Sequence, residues 1–198
     1  ASMTATLVHY GYRCMETDDA FLALFDDNLY TALERAGVVP EDLPRILGDV
    51  AARLTPEVPR LPMFAGMQEA LRVLAASCTL YLISSNHTQP VQAFLRHHGL
   101  LDLFAAVLGA DVDPSKVAKI QGIRTRHPEP DTCLIYVGDT AGDMREARTA
   151  GVLSAAAAWG WHARERLLAQ TPDVILDEPS DLSRLPELAC RVGPCPAV

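Results

Sequence analysis

The chain has 198 residues, 17 of them Lys or Arg and 25 Asp or Glu, giving a formal net charge of −8, and 49% are hydrophobic. That length favours one domain, or one core with a modest insertion. The acidic balance argues against nucleic acid and anionic membrane surfaces as partners, and without a run of about 18 apolar residues nothing reads as a membrane span. Five cysteines, at 14, 78, 133, 190 and 195, are odd in number and lack CxxC spacing. This usage implies a reducing cytoplasm, with no disulfide framework and no zinc site. Cys133 opens an apolar run and reads as a core thiol. No basic region followed by an apolar one suggests a signal peptide, and Ala1-Ser2 ahead of Met3 reads as an expression remnant.

Residues 5–9, ATLVH, read as a short strand. From Asp18 to about Leu54 the apolar positions Phe21, Leu22, Leu24, Phe25, Leu29 and Leu33 recur at helical spacing, punctuated by Pro40, Pro44 and Pro56. Two or three helices are therefore expected before the second strand. After Pro62 the pattern alternates. It gives a helix over 66–76, strand 79–84, helix 91–99, strand 105–110 and a helix around 115–126. Strand 133–138, helix 144–150, strand 152–158, a helix near 162–170 and strand 173–177 follow. Alternation of this kind predicts an α/β fold, a Rossmann-like, mainly parallel sheet sandwiched by helices. The strands are continuous apolar runs, as burial on both faces requires. A small helical cap is inserted after the first strand. The expected division is 4–16 and 61–182 as core, 17–60 as cap, and 183–198 as a loosely ordered tail.

In such sheets ligands bind beyond the carboxyl ends of the strands, and three segments there carry chemistry. Asp139 and Asp143 flank Thr140-Ala141-Gly142 after the CLIYVG run. Two carboxylates so close together can converge on Mg²⁺, which takes one or two carboxylates with water and phosphate oxygens. Asp143 could equally cap the helix that follows. Ser84-Ser85-Asn86 ends the TLYLIS run before a helix, where a hydroxyl and free N–H groups suit an anion, or serve as a plain cap. Lys116 could neutralise charge on a phosphate or beside a metal, with Lys119 as a competing choice.

Taken together, apolar strand-SSN, a lysine about 30 residues on, and apolar strand-GDTAGD resemble the haloacid dehalogenase superfamily. The match is to its phosphoglycolate-phosphatase-like branch with a helical cap, and it spans roughly residues 5–182. LPMFAGMQEALRVLAA is similar to the family's return from cap to core, and AWGWHARERLLAQTPDVILDEPSDL to its final strand-helix-strand. The resemblance implies that Ser85, with Asn86 beside it, binds the transferred phosphoryl group, that Lys116 orients it, and that Asp139 and Asp143 lie on the Mg²⁺ side. It also implies a small phosphorylated molecule or anion as ligand. The apolar surface of the cap helices could support a homodimer, and the sequence leaves monomer and homodimer both open.

The family attacks phosphorus with a first-strand aspartate, and a second aspartate two residues later is acid and base; splitting hydrolysis in this way is a general strategy. Aligning the first strand here puts Tyr10 and Tyr12 at those positions, with Arg13 and Cys14 after them. A phenol titrating near 10 is a poor nucleophile and metal ligand, and losing the nucleophile of a covalent mechanism costs several orders of magnitude in rate. Asp26-Asp27 lies in a helical pattern without DxD spacing, and His9 faces the other side of the strand, so neither replaces it. One expectation is therefore a catalytically impaired protein with weakened Mg²⁺ binding. The alternatives are an active Mg²⁺-dependent phosphomonoesterase with a substituted nucleophile or a misassigned N-terminus, and a non-catalytic ligand- or protein-binding relative. A nucleotide-binding domain is disfavoured because no GxGxxG follows the first strand, and a receiver-like domain because the long helical insertion does not suit it.

Overall fold

The computed structural model describes residues 2–13, 17–26, 29–129 and 131–192. Cys14, Asp27 and Cys195 lie outside them, as do the side chains of Leu22 and Phe25. Helix α1 (Ser2–His9) is followed by α2 (Asp18–Ala23), α3 (Leu29–Arg35) and α4 (Leu43–Leu54). The expected first strand is therefore helical. Thr and Val favour strands only where a neighbouring strand offers a pleated surface, and here Thr6 and Leu7 are buried instead. Leu7 packs with Leu24, Leu29, Leu33, Val38, Leu43, Ile46 and Leu47 in one apolar cluster. Gly11, at φ 87°, ends α1 in the left-handed turn. Its N–H donates to Val8 O, and Tyr12 N–H donates to Leu7 O, the paired bonds of a glycine helix stop.

Then come α5 (Met67–Ala75), β1 (Leu80–Ile83), α6 (Thr88–His97), β2 (Phe104–Leu108), α7 (Lys116–Arg126), β3 (Ile135–Gly138), α8 (Ala141–Ala150), β4 (Leu153–Ala157), α9 (Arg164–Leu168), β5 (Val174–Leu176) and α10 (Leu185–Val192). The alternation read from the sequence is the observed one, and the fold is an α/β, Rossmann-like arrangement. β1 pairs with β2 in parallel, and β3, β4 and β5 pair in that order, also in parallel. β4 is buried along its whole length, whereas β1 and β3 are half-buried throughout. One apolar cluster joins Ala70 and Leu74 to Ala155, Val174, Leu176 and Leu182, with Leu80, Ile135 and Val137 against it. Another, formed by Ile120, Ala147, Ala150 and Val152, takes Ile83, Leu134 and Tyr136.

Two further expectations are corrected. The tail is helical as far as residue 192: in α10 Leu185 and Ala189 are buried, and that apolar face holds the segment down. Cys133 is exposed because the strand begins only at Ile135. Among the described residues no helix is long and apolar enough to cross a membrane.

The N-terminal helices sit over the carboxyl ends of β3 and β4. The turn Leu24–Asp26 packs on α8. Asp26 pairs with Arg166, and the Phe21 and Trp161 rings lie 5.7 Å apart.

Candidate functional site

The loops after β1 and β3 are brought together by the first turns of α7. Ser115 caps that helix, its Oγ accepting from Ala118 N–H at 3.2 Å. Lys116 and Lys119 follow, one turn apart, and reach opposite ways. Lys119 Nζ donates to Ser84 O at 3.0 Å and to Gly109 O at 3.2 Å, clamping the ends of β1 and β2. Lys116 Nζ lies 2.6 Å from Asp143 Oδ1 and 3.5 Å from Glu146 Oε2. Burial works against the Lys116 charge, but the two carboxylates outweigh it and its pKa is raised. Lys119 is buried with Lys116 beside it, and its pKa is pushed down to about 8. Of the two lysines weighed from the sequence, Lys116 faces the acidic loop and Lys119 fastens the sheet.

Asp143 is held from every side. Its Oδ1 accepts from Lys116 Nζ and from Tyr136 Oη at 2.9 Å, and its Oδ2 accepts from Thr140 N–H at 3.1 Å and Thr140 Oγ1 at 2.7 Å. Thr140 Oγ1 accepts in return from Asp143 N–H, completing a reciprocal cap on α8. Burial alone would raise the Asp143 pKa; Lys116, Thr140 and Tyr136 together lower it. A carboxylate offers about four lone-pair positions, and here four donors take them. The sequence alternative put Asp143 ahead of a helix beginning at Met144; the helix instead begins at Ala141, so Thr140 is its cap and Asp143 the reciprocal partner in the first turn.

Asp139 is different. Its Oδ2 accepts from Trp161 N–H at 3.0 Å and its carbonyl accepts from His162 N–H at 3.1 Å. Burial raises its pKa, the Trp161 N–H opposes this, and the neighbouring Asp143 charge raises it further. Gly160 allows the close approach: a Cβ there would stand 2.1 Å from Asp139 Oδ2. His162, buried, accepts from Ala141 N–H through Nδ1 at 2.9 Å, so its proton sits on Nε2. This residue was not singled out from the sequence. Its partner is 21 residues away, and only the aromatic WGWH run hinted at a packed loop.

Ser85 and Asn86 lie past β1. Ser84 Oγ accepts from Asn86 N–H at 3.0 Å. The Thr88 N–H at the start of α6 is already taken by Asp111 Oδ1 at 2.6 Å, as is Thr88 Oγ1 at 2.9 Å. The helix end expected to hold an anion is therefore met by an internal carboxylate, which leaves the half-buried Ser85 hydroxyl as the group for a ligand.

Tyr10 and Tyr12 do not reach this site. Tyr10 Oη donates to Asp49 Oδ2 at 2.8 Å, and Arg45 lies 5.6 Å from its ring centre. Tyr12 Oη donates to Asp42 Oδ2 at 2.6 Å and accepts from Val39 N–H. These hydrogen bonds to carboxylates raise both phenol pKa values. The strand alignment that placed them at a nucleophile position is corrected, because their segment leaves a helix of the N-terminal bundle. Asp26, paired with Arg166, is no substitute.

The haloacid dehalogenase-like hydrolase family model matches residues 1–157. The chain belongs to this family. It is 35% identical over 153 residues to a phosphoglycolate phosphatase of Synechococcus elongatus, covering 77% of this chain and 72% of that protein. A phosphoglycolate phosphatase of Vibrio vulnificus is 29% identical over 124 residues, of which this chain spans 54% of the length. In fold it is similar to a haloacid dehalogenase-like family hydrolase from Streptococcus pneumoniae, with TM-score 0.72, 20% identity, and coverage of 96% of this chain and 88% of that one. Phosphatases of this kind imply Mg²⁺. Asp139 has a carboxylate oxygen to offer and Asp143 has none, and among the described residues no three His, Cys, Asp or Glu converge on one point. The described residues alone do not fit the ion.

Proposed function

We propose that Ser85, Lys116 and Asp139 form the phosphoryl-recognition part of a phosphatase-type site for small phosphorylated molecules, and that these residues bind a phosphate group without hydrolysing its esters at an appreciable rate. The observation that carries this reading is the α7 bridge, where Lys119 at Ser84 and Lys116 at Asp143 hold the two strand-end loops beside one another. A phosphoryl group there meets a hydroxyl, a cation and a carboxylate, which suits binding and orientation. Tyr10 and Tyr12 are engaged with Asp49 and Asp42 away from the site, and among the described residues no strand between β1 and β3 carries a carboxylate in their place, which supports the impaired reading. On this reading residues 2–60 are the cap and the core begins near Leu61. Homology to phosphatases supports a small phosphorylated ligand, and the cytoplasm suits such a ligand.

Phosphorus NMR titration with inorganic phosphate, beside a phosphomonoester panel with and without Mg²⁺, tests the proposal. Saturable binding at about millimolar concentration is expected, weakened at least tenfold by Ser85→Ala, with ester turnover at background. Mg²⁺-dependent turnover abolished by Asp139→Ala would overturn the impaired reading.

A further inference from the structure

Between β1 and β3 lies an apolar cavity of about 620 Å³. Leu80, Leu82 and Ile83 line one side, Ile135 and Val137 the other, with Trp159 beside them. Among the described residues no ladder joins β1 to β3. The two halves of the sheet are held instead by helices on both faces: α5 with the 179–184 turn on one, α7 and α8 on the other. Each strand thus has one paired edge and one edge turned to the cavity, which explains why both are half-buried while β4, paired on both edges, is fully buried.

We propose that this slot accepts one extended apolar polypeptide strand, contributed from outside these 198 residues and running parallel to β1 and β3. Three observations favour a strand over other occupants. The walls are edge strands, whose unpaired N–H and C=O groups are satisfied by another strand and not by an apolar small molecule. The length agrees: β1 and β3 each offer four residues along the cavity, and a four-residue strand is about 13 Å long. The lining is apolar towards both helical layers, so the incoming side chains on either face meet hydrophobic partners. The carboxyl end of such a strand emerges between the loops carrying Ser85 and Asp139. That consequence rests on the proposed function; the acceptor slot does not.

The test uses the full chain and a synthetic peptide with a Val-Leu-Val-Ile-Val core and Lys-Lys at each end. The control carries Pro at the core centre, which removes a ladder donor while keeping every charge. Hydrogen exchange should slow at least tenfold at residues 80–83 and 135–138, with no change at 153–157, Trp159 fluorescence should shift, and the Pro peptide should bind at least tenfold more weakly. Val137→Asp should abolish the effect. Equal binding of both peptides, or no slowing at either strand, overturns the proposal. So does concentration-dependent protection without peptide, which would make a second copy the occupant. No phosphate is present, so failure here is distinct from failure of phosphate binding.

Discussion

Asp143 takes four hydrogen bonds in a buried position, and its pKa is lowered by that company. A carboxyl whose folded pKa is below its unfolded value stabilises the fold above about pH 3.9, and that stability is lost as pH falls through the folded value. Asp143→Asn leaves Glu146 as the one carboxylate among the described residues paired with Lys116. It should lower stability by about 3–5 kcal/mol at pH 7, and the gap to the unmutated chain in urea melts should narrow as pH drops below 4. Asp139 has the opposite sign. Its pKa is raised, so its neutral form is the better accommodated one, and stability is lost as pH rises through that pKa. Asp139→Asn keeps an oxygen for Trp161 N–H and removes the charge beside Asp143. It should be neutral or stabilising by about 0.5–2 kcal/mol at pH 7, while weakening any cation affinity. One loop thus separates into a residue kept for stability and a residue kept at a stability penalty, and the second is the better functional candidate.

At the scale of elements, β1 to β5 were legible because each is a mostly apolar run, four of them stopped directly by Gly, Ser or Asp, as burial of strands between helical layers requires. α1 was not. ATLVH has strand propensity, and what overrides it is the long-range burial of Leu7 among the α3 and α4 side chains, which no local pattern reveals. α10 was not legible either: Leu185, Leu188 and Ala189 keep helical spacing, but the Pro and Gly that follow are turn formers and mask it. At the site, a capping role for Asp143 was legible, but not Thr140 as the cap itself, nor the His162 contact to Ala141, since it joins two loops across the sheet. The helical reading of the N-terminus is open to test. Tyr12→Phe should lower stability slightly through loss of the Asp42 bond, and Leu7→Ala by about 2–5 kcal/mol. Both should leave phosphate affinity within twofold by NMR titration; a larger fall with Tyr12→Phe would return that phenol to the site.

The whole molecule is a sheet in two pieces, fastened by side chains more than by main chain. α5 lies against the 179–184 turn, and the apolar clusters reach β1 and β3 from either face. Among the described residues α7 bridges the pieces at the strand ends, through Lys119 at Ser84 and Lys116 at Asp143. Opening free energies follow local packing and hydrogen bonding, and the two pieces differ in both. β4 is buried and paired on both edges, whereas β1 and β3 each leave one edge on the cavity. In native-state hydrogen exchange of the free chain, amides of 153–157 should be the slowest. Those of 80–83 and 135–138 whose N–H groups face the slot should exchange at least a hundredfold faster. Uniform protection across all three strands would mean that the cavity closes in solution, and the molecule would then be one sheet whose two halves unfold together.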